Sequence, residues 1–109
     1  MSDSLLWVYV TAADQEEARR IGRALVEERL AACVNILPGH TAIYRWEGAV
    51  QESAEAAFVA KTTASRFEAL RARIRGLHSY DLPAIVALPA VPGDAEFLDW
   101  VRAQASPPA

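Results

Sequence analysis

The sequence predicts an α+β fold in the order β-α-β-β-α-β with one further helix at the C-terminal end. Three observations carry that prediction. Runs of β-branched and aromatic residues alternate with stretches of helical periodicity. A turn signal, Glu47-Gly48, separates two unusually long strand-like segments. Acidic or hydroxyl residues stand at the head of each helical stretch, where orphan backbone N–H groups need acceptors. The chain has 109 residues and is expected to be a single domain over 1–109, with its core in about 5–103 and a loose tail over 104–109. A chain of this size buries roughly two-thirds of its unfolded surface, so it needs neither disulfide nor metal to fold.

Leu5-Leu6-Trp7-Val8-Tyr9-Val10 reads as a buried first strand. Asp14 is the expected N-cap of the first helix, with Glu17 at capping-box spacing. Ala18, Ile21, Gly22 and Leu25 share one face and Glu16, Arg20, Arg23 and Glu27 another, with the end expected near Arg29. The second strand runs from about Ala32 to Trp46. It contains Pro38-Gly39, which marks a bend or bulge because proline cannot donate to a ladder. The returning strand, Val50 to Thr63, is polar near the turn and apolar at its far end, so the hairpin starts in water and finishes in a core. Ser65 and Glu68 predict a second capping box, followed by the stripe Phe67, Leu70, Ile74 and Leu77. Ala84 to Leu88 is a short apolar strand. Asp94 caps a last helix whose expected buried side is Phe97, Leu98 and Val101. Right-handed crossovers then give a four-stranded antiparallel sheet with the first two helices on one face, the ferredoxin-like arrangement.

The long hairpin has a consequence for assembly. A strand of about 14 residues at ~3.3 Å each is on the order of 45 Å long. A globule of roughly 100 residues has a diameter near 35 Å. Unless Pro38-Gly39 folds the strand back, the hairpin protrudes, with unpaired edges and Trp46 near its tip. Pairing with neighbouring chains in a closed oligomer is the expected remedy.

Composition excludes several classes of function. The formal charge is −3, so there is no global field for nucleic acid. The lead-in Met1-Ser2-Asp3-Ser4 and the apolar run behind it are too short for a secretion signal or a membrane span. A single cysteine, Cys33, forms no intramolecular disulfide. The expected setting is cytoplasmic, with neither nucleic acid nor membrane as partner. The five glycines are scattered singly, and no serine elbow or paired-histidine motif occurs, so an orthodox hydrolase or tight zinc enzyme is not expected. Cys33 reads either as a small buried hydrophobe or as a soft-metal ligand. His78, at the end of the second helix, reads as a cap for the last carbonyls or as a ligand, and His40 as a solvated bend residue. Lys61, the only lysine, is costly to bury without a carboxylate such as Glu55 or one from another chain, or else it binds an anion. Tyr44, Trp46, Glu55, Lys61, Tyr80 and Trp100 are the candidate lining of a cleft between subunits.

Taken in order, Leu30-Ala31-Ala32-Cys33-Val34-Asn35-Ile36, Pro38-Gly39, Tyr44-Arg45-Trp46-Glu47-Gly48, Lys61-Thr62-Thr63, His78-Ser79-Tyr80-Asp81-Leu82-Pro83 and Asp99-Trp100 resemble the CutA family of divalent-cation tolerance proteins. The resemblance covers about Leu6 to Val101. It implies a tight homotrimer of ferredoxin-like subunits, built like the PII signalling proteins, with no enzymatic activity and a role in tolerance of copper and other divalent ions. It also implies metal ligands at a cysteine ending the first strand and a histidine pair; this chain has Val10 and Leu77 there and keeps only His78, with Cys33 matching a second family cysteine. Copper or another divalent cation is therefore expected to bind weakly and not to be required for folding. The alternative function is a PII-like sensor that takes a small ligand in the inter-subunit clefts. An acylphosphatase-like enzyme would need an anion cradle in the first loop, where Thr11-Ala12-Ala13-Asp14 supplies an acid instead.

Overall fold

The computed structural model describes residues 3–108. The elements are β1 (Leu5–Ala12), α1 (Gln15–Glu27), β2 (Cys33–Trp46), β3 (Ala49–Thr63), α2 (Ala64–Leu77), β4 (Ile85–Pro89) and α3 (Ala95–Gln104). The sheet is antiparallel in the order β2-β3-β1-β4, the ferredoxin-like order. Alternation along β1 sends Val8, Val10 and Ala12 to the face where α1 and α2 pack through Ala18, Ile21, Leu25, Leu70 and Ile74. Ala56, Phe58 and Ala60 of β3 complete that core. On the other face α3 covers only one end, closing a smaller cluster of Leu5, Ala32, Val101 and Ala105.

The helix starts differ in how they are capped. Asp14 accepts from the Glu17 N–H at 2.8 Å, and Glu17 accepts in turn from the Ala13 N–H at 2.9 Å, one residue earlier than a standard box. α1 ends at Glu27 because Arg29 lies in the left-handed region, φ 60°. The expected box at Ser65 does not form. α2 begins at Ala64 with Thr63 as N-cap and no side-chain cap. Its first N–H groups are taken by the N-terminal lead-in instead: Ala64 donates to the Ser4 carbonyl at 2.7 Å and Ser65 to Asp3 Oδ1 at 3.2 Å. Ser65 also hydrogen-bonds Asp3 through its hydroxyl. At α3, Asp94 accepts from the Phe97 N–H at 3.0 Å as expected. Only Val101 of that helix is buried; Phe97 and Trp100 are more than a third exposed. The tail expected from 104 is held further along. Gln104 is helical and Ala105 buried, because the Arg29 guanidinium donates to the carbonyls of Ala103 and Ser106 at 2.9 and 2.8 Å.

The hairpin does overshoot. The molecule measures 46 × 27 × 22 Å. β1 pairs with β3 only from Ala56 to Thr63, whereas β2 pairs with β3 out to Trp46 and Ala49. The strand does not fold back at Pro38-Gly39; a bulge between Leu37 and His40 absorbs them and pairing resumes. The turn puts Glu47 at φ 50° and Gly48 at φ 81°, as a two-residue primed turn requires. The ribbon beyond Glu55 thus rests on no other element of its own subunit's sheet, and it carries Ile43 and Val50 more than 60% exposed.

One close approach is testable. A Cβ on Gly22 of α1 would meet Val34 Cγ1 at 2.9 Å, and valine is stiff about χ1. Gly22→Ala gains about 1 kcal/mol of helix propensity but overpacks the site by ~1–3 kcal/mol. The expected result is a net loss near 1 kcal/mol in chemical denaturation, restored by adding Val34→Ala. A stabilised single variant would show that the strand yields freely.

Candidate functional site

Along the hairpin, from its base toward its tip, a groove of about 740 Å³ opens between the ribbon and the segment after α2. Tyr44, Trp46, Ser53 and Glu55 line it from the ribbon, and Tyr80 and Asp81 from the loop. The Tyr80 hydroxyl donates to Glu55 Oε2 at 2.7 Å, and His40 Nε2 stands 3.5 Å from Glu55 Oε1. His40 is thus half-buried against a carboxylate rather than simply solvated at the bend. Burial, and then the hydrogen bond and charge of Glu55, push the Tyr80 phenol far above its ordinary range. It stays a neutral donor at any physiological pH.

Behind the groove is a knot of buried polar groups. The His78 side chain is fully buried. Its Nδ1 accepts from the Tyr80 N–H at 3.0 Å, so that nitrogen carries no proton, and Nε2 must donate to the Thr11 carbonyl 2.6 Å away. Both ring nitrogens are occupied. Glu17, 6% exposed, accepts from Ala13 N–H and Ser79 N–H at 2.9 Å each and from Arg20 at 3.5 Å. Burial raises the Glu17 pKa, but the donations from Ala13 and Ser79 outweigh it and leave the carboxyl below its ordinary value. Together the two side chains fasten the start of α1, the end of β1 and the groove loop.

Lys61 and Trp100 lie elsewhere. Lys61 pairs across the sheet with Trp7 and Cys33. Its ammonium sits over the rings of Trp7 and Phe97, 5.3 and 5.4 Å from their centroids, and Trp100 stacks on Phe97 at 5.7 Å. The expected partnership of Lys61 with Glu55 does not occur within the chain. They stand six positions apart on β3, and Glu55 is already engaged by Tyr80 and His40. Two aromatic faces take the place of the carboxylate. The six cleft candidates therefore divide in two: Tyr44, Trp46, Glu55 and Tyr80 share the groove, while Lys61 and Trp100 belong to the α3 end.

Cys33 is half-buried beside Lys61. Desolvation pushes its thiol pKa up, against the pull of the Lys61 charge. A native thiol assay is expected to label Cys33 slowly, accelerating in denaturant; immediate stoichiometric labelling would contradict this.

Trp7, Phe97 and Glu17 were not foreseen as site residues. Glu17 had a visible signal in its box with Asp14, but its grip on Ser79 depends on a contact 62 residues away. No local pattern announces Trp7 and Phe97 as partners of Lys61. Among the described residues, no three His, Cys, Asp or Glu side chains stand close enough to hold a metal ion.

A ferredoxin-like subunit with an overhanging hairpin and a groove at its base defines the class, and comparison with known proteins defines the family. Residues 6–104 match the family model described as CutA1 divalent ion tolerance protein. The chain is similar to the divalent-cation tolerance protein CutA of Thermus thermophilus, 54% identical over 95 residues, 87% of this chain and 92% of that one. Protein CutA of Homo sapiens is 42% identical over 94 residues, 86% of this chain but 52% of its own length, so the chain spans about half of that relative. The solved Thermus thermophilus CutA1 structure superposes with TM-score 0.91 at 50% identity, covering 94% of this chain and 99% of that one. The chain belongs to the CutA1 divalent ion tolerance family. No helix among the described residues is long and apolar enough to cross a membrane.

Proposed function

We propose that this protein is a non-enzymatic homotrimer that contributes to divalent-cation tolerance, copper included, through weak metal binding in the cytoplasm. The observation that supports the assembly is the ribbon beyond Glu55, which leaves strand edges and apolar side chains open that only another chain can cover. The number three follows the family resemblance.

Among the described residues of one subunit, no three His, Cys, Asp or Glu side chains converge on a metal site. His78 has both nitrogens committed, and desolvation raises the Cys33 thiol pKa against the pull of Lys61. Metal must then draw on carboxylates such as Glu47, Glu52 or Asp81, with ligands from a second subunit. That chemistry suits harder divalent ions and gives weak sites. Light scattering tests the assembly: the mass should be about three times 11.9 kDa, and a clean monomer at micromolar concentration would refute it. Strong chelation should leave both mass and thermal midpoint unchanged; dissociation or unfolding would make metal structural. Calorimetric titration with copper and zinc should show weak binding to the divalent ions, and tight Cu(I) capture would refute the carboxylate reading.

A second reading, a sensor that takes a small ligand in the manner of the PII-like proteins, is favoured by the groove at the hairpin base.

A further inference from the structure

We infer that Arg29 is the positioning residue for α3 and, through α3, for the seat of Lys61. This role needs neither the metal reading nor the sensor reading. Arg29 follows α1 in the left-handed region, φ 60°, at the position where glycine is the usual occupant. A Cβ is strained there, and such strain persists only where surrounding contacts hold it. The contacts are present on both sides of the residue. Its guanidinium spans two carbonyls, Nε donating to Ser106 at 2.8 Å and Nη2 to Ala103 at 2.9 Å. Its own carbonyl accepts from Arg66 Nε and Nη2 of α2, at 3.3 Å each. One strained residue thus ties the end of α1 to the start of α2 and to the end of α3.

Little else in the subunit holds α3. Val101 is its one buried residue, followed by Ala105 just past its end. Arg102 supplies a second polar tie, its Nε donating to the Asp3 carbonyl at 2.9 Å. Phe97 of the same helix meets Trp7 edge-on, 6.5 Å between centroids, and the two rings share the Lys61 ammonium. With so small an apolar contact, the placement of α3 rests on these ties. Cutting the one at Arg29 lets the helix end loosen and draws Phe97 away from Lys61. Lysine cannot replace Arg29, because a single ammonium on a flexible stem does not reproduce a fork fixed across two carbonyls.

The test compares the full-length protein with Arg29→Gly and Arg29→Lys by amide hydrogen exchange and by NMR of lysine labelled with ¹³C at Cε. Lys61 is the only lysine, so it gives a single signal, which the rings of Trp7 and Phe97 displace from the free-lysine position. Arg29→Gly removes the guanidinium while suiting the left-handed backbone. Amides from Val101 to Ala105 should exchange about 10-fold faster, with those of Val8 and Phe58 in the core unchanged. The lysine signal should move toward the free-lysine position. Arg29→Lys should give the same two changes, and it carries the test if the glycine variant does not fold. If Arg29 served only to end α1, the glycine variant would gain stability with α3 exchange and lysine signal unchanged, which would overturn the inference. Exchange accelerated equally in α3 and the core would make Arg29 a general stabiliser and overturn it as well. So would an unmoved lysine signal, whatever the exchange rates.

Discussion

Glu17→Ala is expected to destabilise the protein by about 2 kcal/mol, because the part-buried N–H groups of Ala13 and Ser79 lose their acceptor at once. In a domain of this size that lowers the thermal midpoint by roughly 10 °C. The same carboxyl makes stability depend on pH, with a definite sign. Its folded pKa lies below the ordinary value of 4.5, so its contribution is fully present above that value. It is lost as pH falls through the native pKa, when the acid must protonate and give up an acceptor. Glu17→Gln should lie below wild type at neutral pH and lose that part of the acid dependence. Parallel pH profiles for wild type and Glu17→Gln would show that the carboxylate charge is not what holds Ser79.

His78→Ala is expected to cost about 4 kcal/mol, since it opens a cavity at a fully buried ring and strands two backbone partners. His78→Phe keeps the volume and loses only the hydrogen bonds, so roughly half the effect should remain. Neither substitution should change the affinity for divalent ions, measured under conditions where both variants are folded. A variant that folds with wild-type stability but has lost metal binding would return the imidazole to the role of ligand.

These two residues show where reading the sequence succeeds and where it stops. The order of elements, the turn at Glu47-Gly48, the Asp14 cap and the irregularity at Pro38-Gly39 rest on local chemistry, and all stand in the structure. The Ser65 box has the same local pattern as Asp14, yet Asp3 and Ser4 reach α2 first. A local motif predicts a cap only while nothing distant competes for the same N–H groups. Within one subunit the cleft set divides for a related reason. Lys61 and Glu55 are near in sequence and share an alternation on β3, but six residues of extended strand put them at different ends of the domain. His78 was legible as a residue with two alternatives. Only the positions of Thr11 and Tyr80 decide which nitrogen carries the proton.

The bulge at Leu37 and His40 sets the phase of everything beyond it. Below it, odd positions of β2 face odd positions of β3, as Cys33 faces Lys61; above it, even positions do, as Tyr44 faces Gln51. One extra residue therefore decides which side chains of β2 look into the groove. Deleting a single residue between Leu37 and His40, with the pairing otherwise kept, would turn Ile43 and Arg45 inward and Tyr44 and Trp46 out, because a strand's side chains reverse at every step. Relatives that differ in length at this point would thus carry a groove of different chemistry on an unchanged scaffold, without a single substitution at the groove itself.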